Sequence, residues 1–253
     1  MILNLNNCIS EAYKSNSQKI RVLSENWVGN YSYCPACGNH LSNYQNNNPA
    51  SDFYCSACSE DYELKSQKTL TTKIVDGAYN TMIEKLNSNQ NPNLFILNYD
   101  SDNFDILNFL IIPKHFFTSE IIEKRNALSQ NARRAGWIGC NINLKGIPES
   151  GKIFLIKNKI LENKDNVIKT FNKTDFLRKQ KMELRGWTLD IMLCIDKLGK
   201  KEFTLSEVYN FEEQLRLKHP ENTFIKDKIR QQLQILRDYG YLEFIGRGKY
   251  KLV

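Results

Sequence analysis

Four cysteines in two closely spaced pairs are the most specific chemical feature of the sequence. Cys34-Pro-Ala-Cys37 and Cys55-Ser-Ala-Cys58 are CxxC motifs separated by 17 residues, a spacing typical of zinc ribbons. Each pair can supply two thiolates from one tight turn to a tetrahedral Zn²⁺ ion. Four protein ligands leave no position for water, so we predict a structural zinc site. A redox-active cysteine pair is the alternative interpretation.

Two carboxylates and a lysine flank the second cysteine pair. The alternation at residues 62–65 predicts a strand on which Glu63 and Lys65 project from the same face, with Leu64 turned into the core. If Asp52 lies alongside, Asp52, Glu63 and the Leu64 carbonyl could hold Mg²⁺. The metal would polarise a phosphate and help to form hydroxide, and Lys65 could orient that water and offset charge on the phosphorane. A surface strand with alternating charges shows the same pattern, but the rigid zinc turn between Asp52 and Glu63 favours the catalytic interpretation.

A helix near the C-terminus has one apolar and one polar face. Apolar residues recur at helical spacing from Ile225 to Leu236, and the opposite face carries arginine and glutamine, which read guanine and adenine edges in the major groove. Residues 226–251 contain seven Lys or Arg and three Asp or Glu, a net charge of +4. The basic hairpin that follows suits a phosphate or minor-groove contact. The predicted DNA contacts are Lys228, Arg230, Gln231, Gln234, Arg247 and Lys249; the alternative is a protein-binding surface with solvated charges.

Residues 133–139 form a second basic and aromatic candidate. Arg133 and Arg134 could hold phosphates bidentately. Trp137, which lies between two glycines, could pack on a base or wedge against the duplex. Alternatively, the tryptophan fills the core and the arginines are solvated.

The elements that must position these residues alternate between helix and strand, which indicates an α/β or α+β fold for the N-terminal part. The predicted elements are a helix over 6–28, a strand over 62–65, a helix over 79–86, and buried strands over 94–99, 104–112 and 152–156. A polar, lysine-rich stretch, 157–183, is predicted to lead into a linker. The predicted domains are therefore 1–180 and 183–253.

The C-terminal domain has the element order of a winged helix-turn-helix. A helical face runs from Trp187 to Leu198, and Thr204-Leu-Ser-Glu207 is a capping box that opens a second helix. A third helix is predicted over 224–239, and residues 241–253 predict a hairpin that turns at Gly246-Arg247-Gly248.

The composition is compatible with a polyanionic partner. The 253 residues carry a net charge of +7, and 41% are hydrophobic, enough to form cores. No apolar stretch approaches 18 residues, so no membrane span is predicted. The N-terminus lacks the pattern of a secretion signal, so we expect a cytoplasmic protein with reduced cysteines. Cys8, Cys140 and Cys194 are predicted to be ordinary buried cysteines.

Runs of residues along nearly the whole chain resemble the DpnI family of methylation-dependent restriction endonucleases. They include residues 32–39 (SYCPACGN), 52–55 (DFYC), 63–66 (ELKS), 132–142 (ARRAGWIGCNI), 185–188 (RGWT), 228–238 (KIRQQLQILRD) and 246–250 (GRGKY). The resemblance implies a PD-(D/E)xK nuclease core with an inserted four-cysteine zinc site and a C-terminal winged helix. Ser51 stands where the general motif has proline, with Pro49 two places earlier; this departure removes no chemical group.

The resemblance also implies the activity, which is type II, methyl-directed (type IIM) cleavage of double-stranded DNA at GATC sites that contain N6-methyladenine, with Mg²⁺. Carried across, Asp52, Glu63 and Lys65 fill the catalytic motif, and the four cysteines fill the zinc site. One methyl group in an apolar pocket contributes only about 1–3 kcal/mol of discrimination. We therefore predict that both domains read the methylated site, the first through Trp137 and the second through Gln231 and Gln234.

Two other classes of protein are compatible with the residues. One is a non-catalytic regulator with a zinc ribbon and a winged helix, and the other is an assembly module that uses both domains for protein contacts. We expect a monomer, with no membrane partner.

Overall fold

A computed structural model describes residues 2–5, 15–45, 51–88 and 90–253. The chain divides into two units: Met1–Lys145 with Ser150–Asn172, and Gly146–Glu149 with Lys173–Val253. The boundary at residues 180–183 that the sequence suggests stays a prediction. The mixed α/β fold class with a C-terminal helix-turn-helix domain is confirmed.

The first unit is built around a mixed sheet. Its strands in the described ranges are, in chain order, β1 (Ser42–Asn43), β2 (Phe53–Tyr54), β3 (Asp61–Gln67), β4 (Lys73–Ala78), β5 (Asn93–Tyr99), β6 (Ile106–Ile112), β7 (Ile122–Lys124), β8 (Gly139–Asn143), β9 (Ile153–Lys157) and β10 (Ile160–Leu161). The main sheet has the order β1-β2-β3-β5-β6-β9-β10, and only β3 and β5 pair in parallel. The antiparallel order β4-β8-β7 forms a second sheet.

Helices cover these sheets. They are α1 (Asn16–Tyr31), α2 (Tyr79–Asn87) and α3 (Lys164–Lys173). Short 3₁₀ turns lie at Lys114–Phe116, Ser119–Ile121, Leu144–Gly146, Glu149–Gly151 and Asp175–Lys179. No helix of the described ranges has both the length and the apolar character that a membrane crossing requires.

The main core lies between α1 and the central strands. Every residue of β5 is buried, as its unbroken apolar run predicts. Trp27 of α1 packs edge-on against Phe109, with ring centroids 5.3 Å apart, and Phe109 stacks on Phe95. This core fixes β3, which runs beside β5 with Glu63 opposite Leu94.

Several boundaries differ from the sequence-based ones. Within the described residues the first helix spans Asn16–Tyr31, and the part of that prediction before residue 15 lies outside the described residues, as do Cys8 and Pro49. The linker prediction is wrong for residues 164–173, which form α3 and bury Val167 and Phe171 in the core. Their apolar spacing was masked by the many lysines around them.

The second unit is a winged helix. Its elements are α4 (Met182–Leu198), β11 (Glu202–Thr204), α5 (Leu205–Tyr209), α6 (Glu212–Lys218), α7 (Ile225–Asp238), β12 (Leu242–Gly246) and β13 (Lys249–Leu252). The second helix of the prediction is split in two because the amides of Asn210 and Phe211 bond three residues back, which tightens and ends α5. The wing has three strands rather than two, because β11 pairs with β13.

The predicted capping box is present at the start of α5. The Thr204 hydroxyl accepts from the Glu207 amide, and the Glu207 carboxylate accepts from the Thr204 amide at 2.8 Å. A hydrogen bond from Lys200 and the bonds from Thr204 lower the pKa of Glu207 from 4.5 to about 2.

Thr204→Ala is expected to lower the free energy of unfolding by about 1 kcal/mol at neutral pH, because one helical amide loses its acceptor. The contribution of Glu207 is present above pH 4.5 and is lost as the pH falls towards 2, since its folded-state pKa is the lower one. The difference in the free energy of unfolding between the parent protein and Thr204→Ala, measured in urea, should therefore become smaller between pH 4.5 and pH 2. Thr223→Ala, at an exposed threonine, is the control; an equal loss in both variants would contradict the role of the box.

Candidate functional site

The four cysteines of the two CxxC motifs lie together in the first unit. Their sulfur atoms are all within 4.8 Å of one another, and Cys34 Sγ to Cys58 Sγ and Cys37 Sγ to Cys55 Sγ are both 3.5 Å. Among the described residues, no other group of three or more His, Cys, Asp or Glu side chains is clustered this closely. The quartet could hold a zinc ion.

Two equivalent turns bring the sulfur atoms together. In the first, the Gly38 amide donates to the Cys34 carbonyl at 2.7 Å; in the second, the Ser59 amide donates to the Cys55 carbonyl at 2.8 Å. Gly38 and Ser59 both have positive φ, 80° and 60°, which reverses the chain directly after each CxxC motif. The local sequence therefore forms the ligand geometry, and the main core only has to bring two turns together.

The surroundings of the quartet suit a cation. Burial raises the pKa of Cys34 to about 11. The hydrogen bond with the Tyr62 hydroxyl, which lies 2.9 Å from the sulfur, lowers this pKa but does not outweigh burial. Burial also opposes ionisation of Cys37, but the bonds from Asn39 and the neighbouring thiols outweigh it and lower its pKa to about 7. Zinc binding would require the thiols to lose their protons, and a cation between the four sulfur atoms would favour that loss.

On β3, Glu63 and Lys65 project to one face. Lys65 Nζ lies 2.5 Å from Glu63 Oε1 and 2.8 Å from Asp76 Oδ1 on β4. Leu64 packs on the opposite side against the main core. The three charged groups border a cavity of about 170 Å³ that Thr81 of α2 also lines.

Asp52 lies beside these groups, just before β2. Its Oδ2 accepts from the Leu64 amide at 2.7 Å, and its own amide donates to the Tyr62 carbonyl. These two hydrogen bonds continue the pairing of β2 with β3. They place the Asp52 carboxylate along the edge of β3 that faces away from β5. Asp52, Glu63 and Lys65 are thus brought into one neighbourhood.

The electrostatics of this neighbourhood depend on burial and on several close charges. Burial raises the pKa of Glu63; Lys65 opposes the shift, and the negative charges of Asp76 and Asp52 add to it. Burial lowers the pKa of Lys65, but Glu63 and Asp76 outweigh it, so the net pKa of Lys65 is raised. Lys65 is therefore a cation held among acidic groups.

Asp76 was missed by the sequence reasoning. Its side chain is 8% exposed and contacts Lys65, but β4 was not predicted. The only sequence signal is alternation of buried Ile74 with exposed Lys73 and Val75, which resembles any short edge strand.

The predicted basic and aromatic stretch forms the end of the hairpin between β7 and β8. Trp137 is half-buried, the Arg134 guanidinium lies 4.9 Å from its ring centroid, and Arg133 and Arg134 are exposed. The ring covers Gly139, where a Cβ atom would come within 2.8 Å of it. The tryptophan thus belongs neither to the core nor to a freely exposed loop.

In the second unit, α7 has the two predicted faces. The apolar stripe of Ile225, Ile229, Leu233 and Leu236 is buried. Gln231 and Gln234 are exposed.

The predicted cations of this unit differ in their surroundings. Arg230 bonds to Asp227 and to the Tyr209 hydroxyl, whereas Lys228 is half-buried with its ammonium 5.8 Å from the Trp187 ring centroid. Arg247 and Lys249 are exposed at the turn between β12 and β13.

Among the remaining predicted residues, Cys140 and Cys194 are buried, as expected for ordinary cysteines.

Two family models match the chain. The model described as DpnI, the Dam-replacing family, covers residues 1–180. The model described as the Dam-replacing HTH domain covers residues 183–252. Together they span both the cysteine quartet with its neighbouring acidic groups and the winged helix. The chain therefore belongs to the DpnI, or Dam-replacing, family.

Proposed function

We propose that this protein is a type II, methyl-directed restriction endonuclease that hydrolyses double-stranded DNA at GATC sites containing N6-methyladenine. The observation that carries the proposal is the convergence of Glu63 and Lys65, 2.5 Å apart, next to Asp52. Membership of the family supports a nuclease in general terms. Because the substrate would be genomic or invading DNA, we further propose that the protein acts in the cytoplasm, and as a monomer.

The donor set fits a magnesium ion. The negative charge of Asp52 adds to the rise in the pKa of Glu63, and a divalent cation between the two carboxylates would relieve that repulsion. Asp52, Glu63 and the Leu64 carbonyl would hold it. When bound, Mg²⁺ would polarise the scissile phosphate and acidify a coordinated water.

Lys65 supplies the positive charge of the site. Its ammonium can donate to the attacking water and to a non-bridging phosphate oxygen, both of which become more negative as the P–O bond forms. Its carboxylate neighbours keep it protonated, so it acts as a donor and not as the base that removes the proton.

The four-cysteine site is proposed to bind zinc for structure alone, since four thiolates fill a tetrahedral shell. The second unit would read bases through Gln231 and Gln234 in the major groove, while Lys228, Arg230, Arg247 and Lys249 would hold phosphates. Arg230 would exchange its bond to Asp227 for a phosphate oxygen. Arg133, Arg134 and Trp137 would contact the duplex in the first unit.

The decisive experiment incubates Dam-methylated and unmethylated plasmid with the protein and Mg²⁺. Discrete fragments from the methylated plasmid alone are expected. Stable binding without strand breaks in either plasmid would favour the non-catalytic regulator, and no binding to DNA would favour the assembly module.

Removing either reader is expected to weaken discrimination between methylated and unmethylated sites. Trp137→Ala and the double variant Gln231→Ala/Gln234→Ala should each lower the ratio of the two cleavage rates by about 10-fold, the effect of roughly one methyl-sized contact. Rates on matched duplexes measure it. Gln214→Ala, at an exposed glutamine of α6, is the control. An unchanged ratio in one variant would assign reading to the other unit alone.

A further inference from the structure

We infer that Asp76 is a positioning residue for the proposed hydrolysis, and that it connects the Trp137 loop to Lys65. The Asp76 carboxylate holds the Lys65 ammonium. Asp76 lies next to a β-bulge at Gly77, and the backbone of this bulge lies close to Gly139, the residue that the Trp137 ring covers. The inference rests on the proposed nuclease function and adds a residue and a coupling to it.

The contact with Lys65 is the first step. Asp76 Oδ1 lies 2.8 Å from Lys65 Nζ, and the Asp76 side chain is 8% exposed. A buried carboxylate is stable only when it is paired, so this partner is well defined. Glu63, the other partner of Lys65, is a proposed magnesium ligand, so its carboxylate would be shared between the ammonium and the metal. Asp76 is then the carboxylate that remains to hold the ammonium in place.

A β-bulge aims this carboxylate. In the pairing of β4 with β8, Asp76 is opposite Cys140 and Ala78 is opposite Gly139, so Gly77 is an extra residue. Regular pairing would give neighbouring residues opposite faces, whereas a bulge bends the strand and redirects the side chain next to it. The Gly77 carbonyl accepts from Cys140 Sγ at 3.5 Å.

The same bulge contacts the base of the Trp137 loop. A Cβ atom at Gly139 would lie 2.8 Å from two ring carbons of Trp137 and 3.5 Å from the Gly77 carbonyl oxygen. Gly139 is therefore enclosed between the indole and the bulge, and the ring packs directly on its backbone. If the indole moves when it meets DNA, the next groups to move are Gly139, the Gly77 peptide and Asp76. Reading at the loop would in this way set the position of Lys65.

The first test replaces Asp76 in the full chain. Asp76→Asn keeps the shape and removes the charge. It is expected to slow single-turnover cleavage of a methylated GATC duplex by about 10- to 100-fold, by analogy with the loss of groups that orient the ligands of a metal site. Binding of the duplex without Mg²⁺ should change less than 2-fold, and Asp76→Glu should restore part of the rate. Asp105→Asn is the matched control, since Asp105 pairs with Lys159, also at 2.8 Å, away from the site.

Three results would overturn the role of Asp76. The first is a cleavage rate for Asp76→Asn equal to that of the parent protein. The second is a slower rate that returns to the parental value when the Mg²⁺ concentration is raised, which would make Asp76 a metal ligand. The third is an equal loss of rate in Asp105→Asn. Melting temperatures of all variants separate a loss of rate from a loss of folding. If the parent protein fails to cut methylated DNA, the proposed function fails together with this inference; if the parent cuts and Asp76→Asn cuts equally fast, only the inference fails.

The second test concerns the coupling. Gly139→Ala forces the indole away from its seat, because the new methyl group would overlap it. If Trp137 acts through the bulge, the double variant Gly139→Ala/Asp76→Asn should lose less activity than the product of the two single losses. Multiplicative losses would overturn the coupling and leave Asp76 acting on Lys65 alone.

Discussion

Lys65→Met is expected to reduce cleavage of methylated DNA by at least about 100-fold while leaving DNA binding nearly unchanged. The substitution keeps most of the volume of the side chain but removes the ammonium that lies 2.5 Å from Glu63 and 2.8 Å from Asp76. Groups that face charge developing in a transition state contribute about 100- to 1,000-fold each. Single-turnover rates and binding curves on the same duplex provide the measurement.

The control for this prediction is Lys73→Met. Lys73 is on β4, the strand that follows β3 in the chain, and pairs with Glu123 at 2.6 Å, outside the group of Asp52, Glu63 and Lys65. The Lys73→Met substitution also removes one positive charge from the first unit, so it measures any general loss of electrostatic attraction to DNA. Equal cleavage rates for Lys65→Met and the parent protein would rule out the proposed active site. A parallel loss of binding and cleavage in both variants would point to general electrostatics instead.

Loss of one zinc ligand is expected to unfold the first unit. Structural zinc sites contribute apparent free energies of about 10–16 kcal/mol, which is as large as the whole stability of an ordinary domain, about 5–15 kcal/mol. Cys55 is fully buried, and its turn lies between β2 and β3. Cys55→Ser should therefore abolish both zinc content and cleavage, because Asp52 and Glu63 are held on either side of that turn.

Metal analysis, circular dichroism and cleavage assays measure this effect together. The parent should contain one zinc per chain and should lose its folded signal on treatment with a strong chelator. Cys194→Ser is the matched control, because Cys194 is a buried cysteine of the other unit. This variant protein should keep its zinc. Native melting of a zinc-free protein, together with normal cleavage when Mg²⁺ is supplied, would contradict a structural zinc.

Local features could be predicted from the sequence because their geometry depends on residues close together in the chain. The CxxC turns, the Thr204–Glu207 capping box and the apolar stripe of α7 each span fewer than 15 residues. Glu63 and Lys65 share a face for the same reason, since the strand period is two. In each case a hydrogen bond or a repeat forms the feature before any distant contact is needed.

Distant pairings could not be predicted in this way. Asp76 of β4 contacts Lys65 of β3 although the two strands belong to different sheets, and β4 carries a bulge at Gly77; no spacing in the sequence encodes either feature. The role of Trp137 was likewise open, and its seat on Gly139 depends on how the hairpin between β7 and β8 closes. The lysine-rich residues of α3 give a second example. Val167 and Phe171 are buried because they pack against the main core of the first unit, and the sequence around them does not reveal that core.

Residues close together in the chain were enough to predict which four cysteines cluster, the apolar and polar faces of α7 and most of the larger helices and strands. These depend on residue type and short-range periodicity. The folded structure was needed to show which acidic group holds Lys65, where the Trp137 ring packs and how far the core of the first unit extends. Those depend on strand register and on packing between segments far apart in the chain, where many arrangements of similar local energy compete.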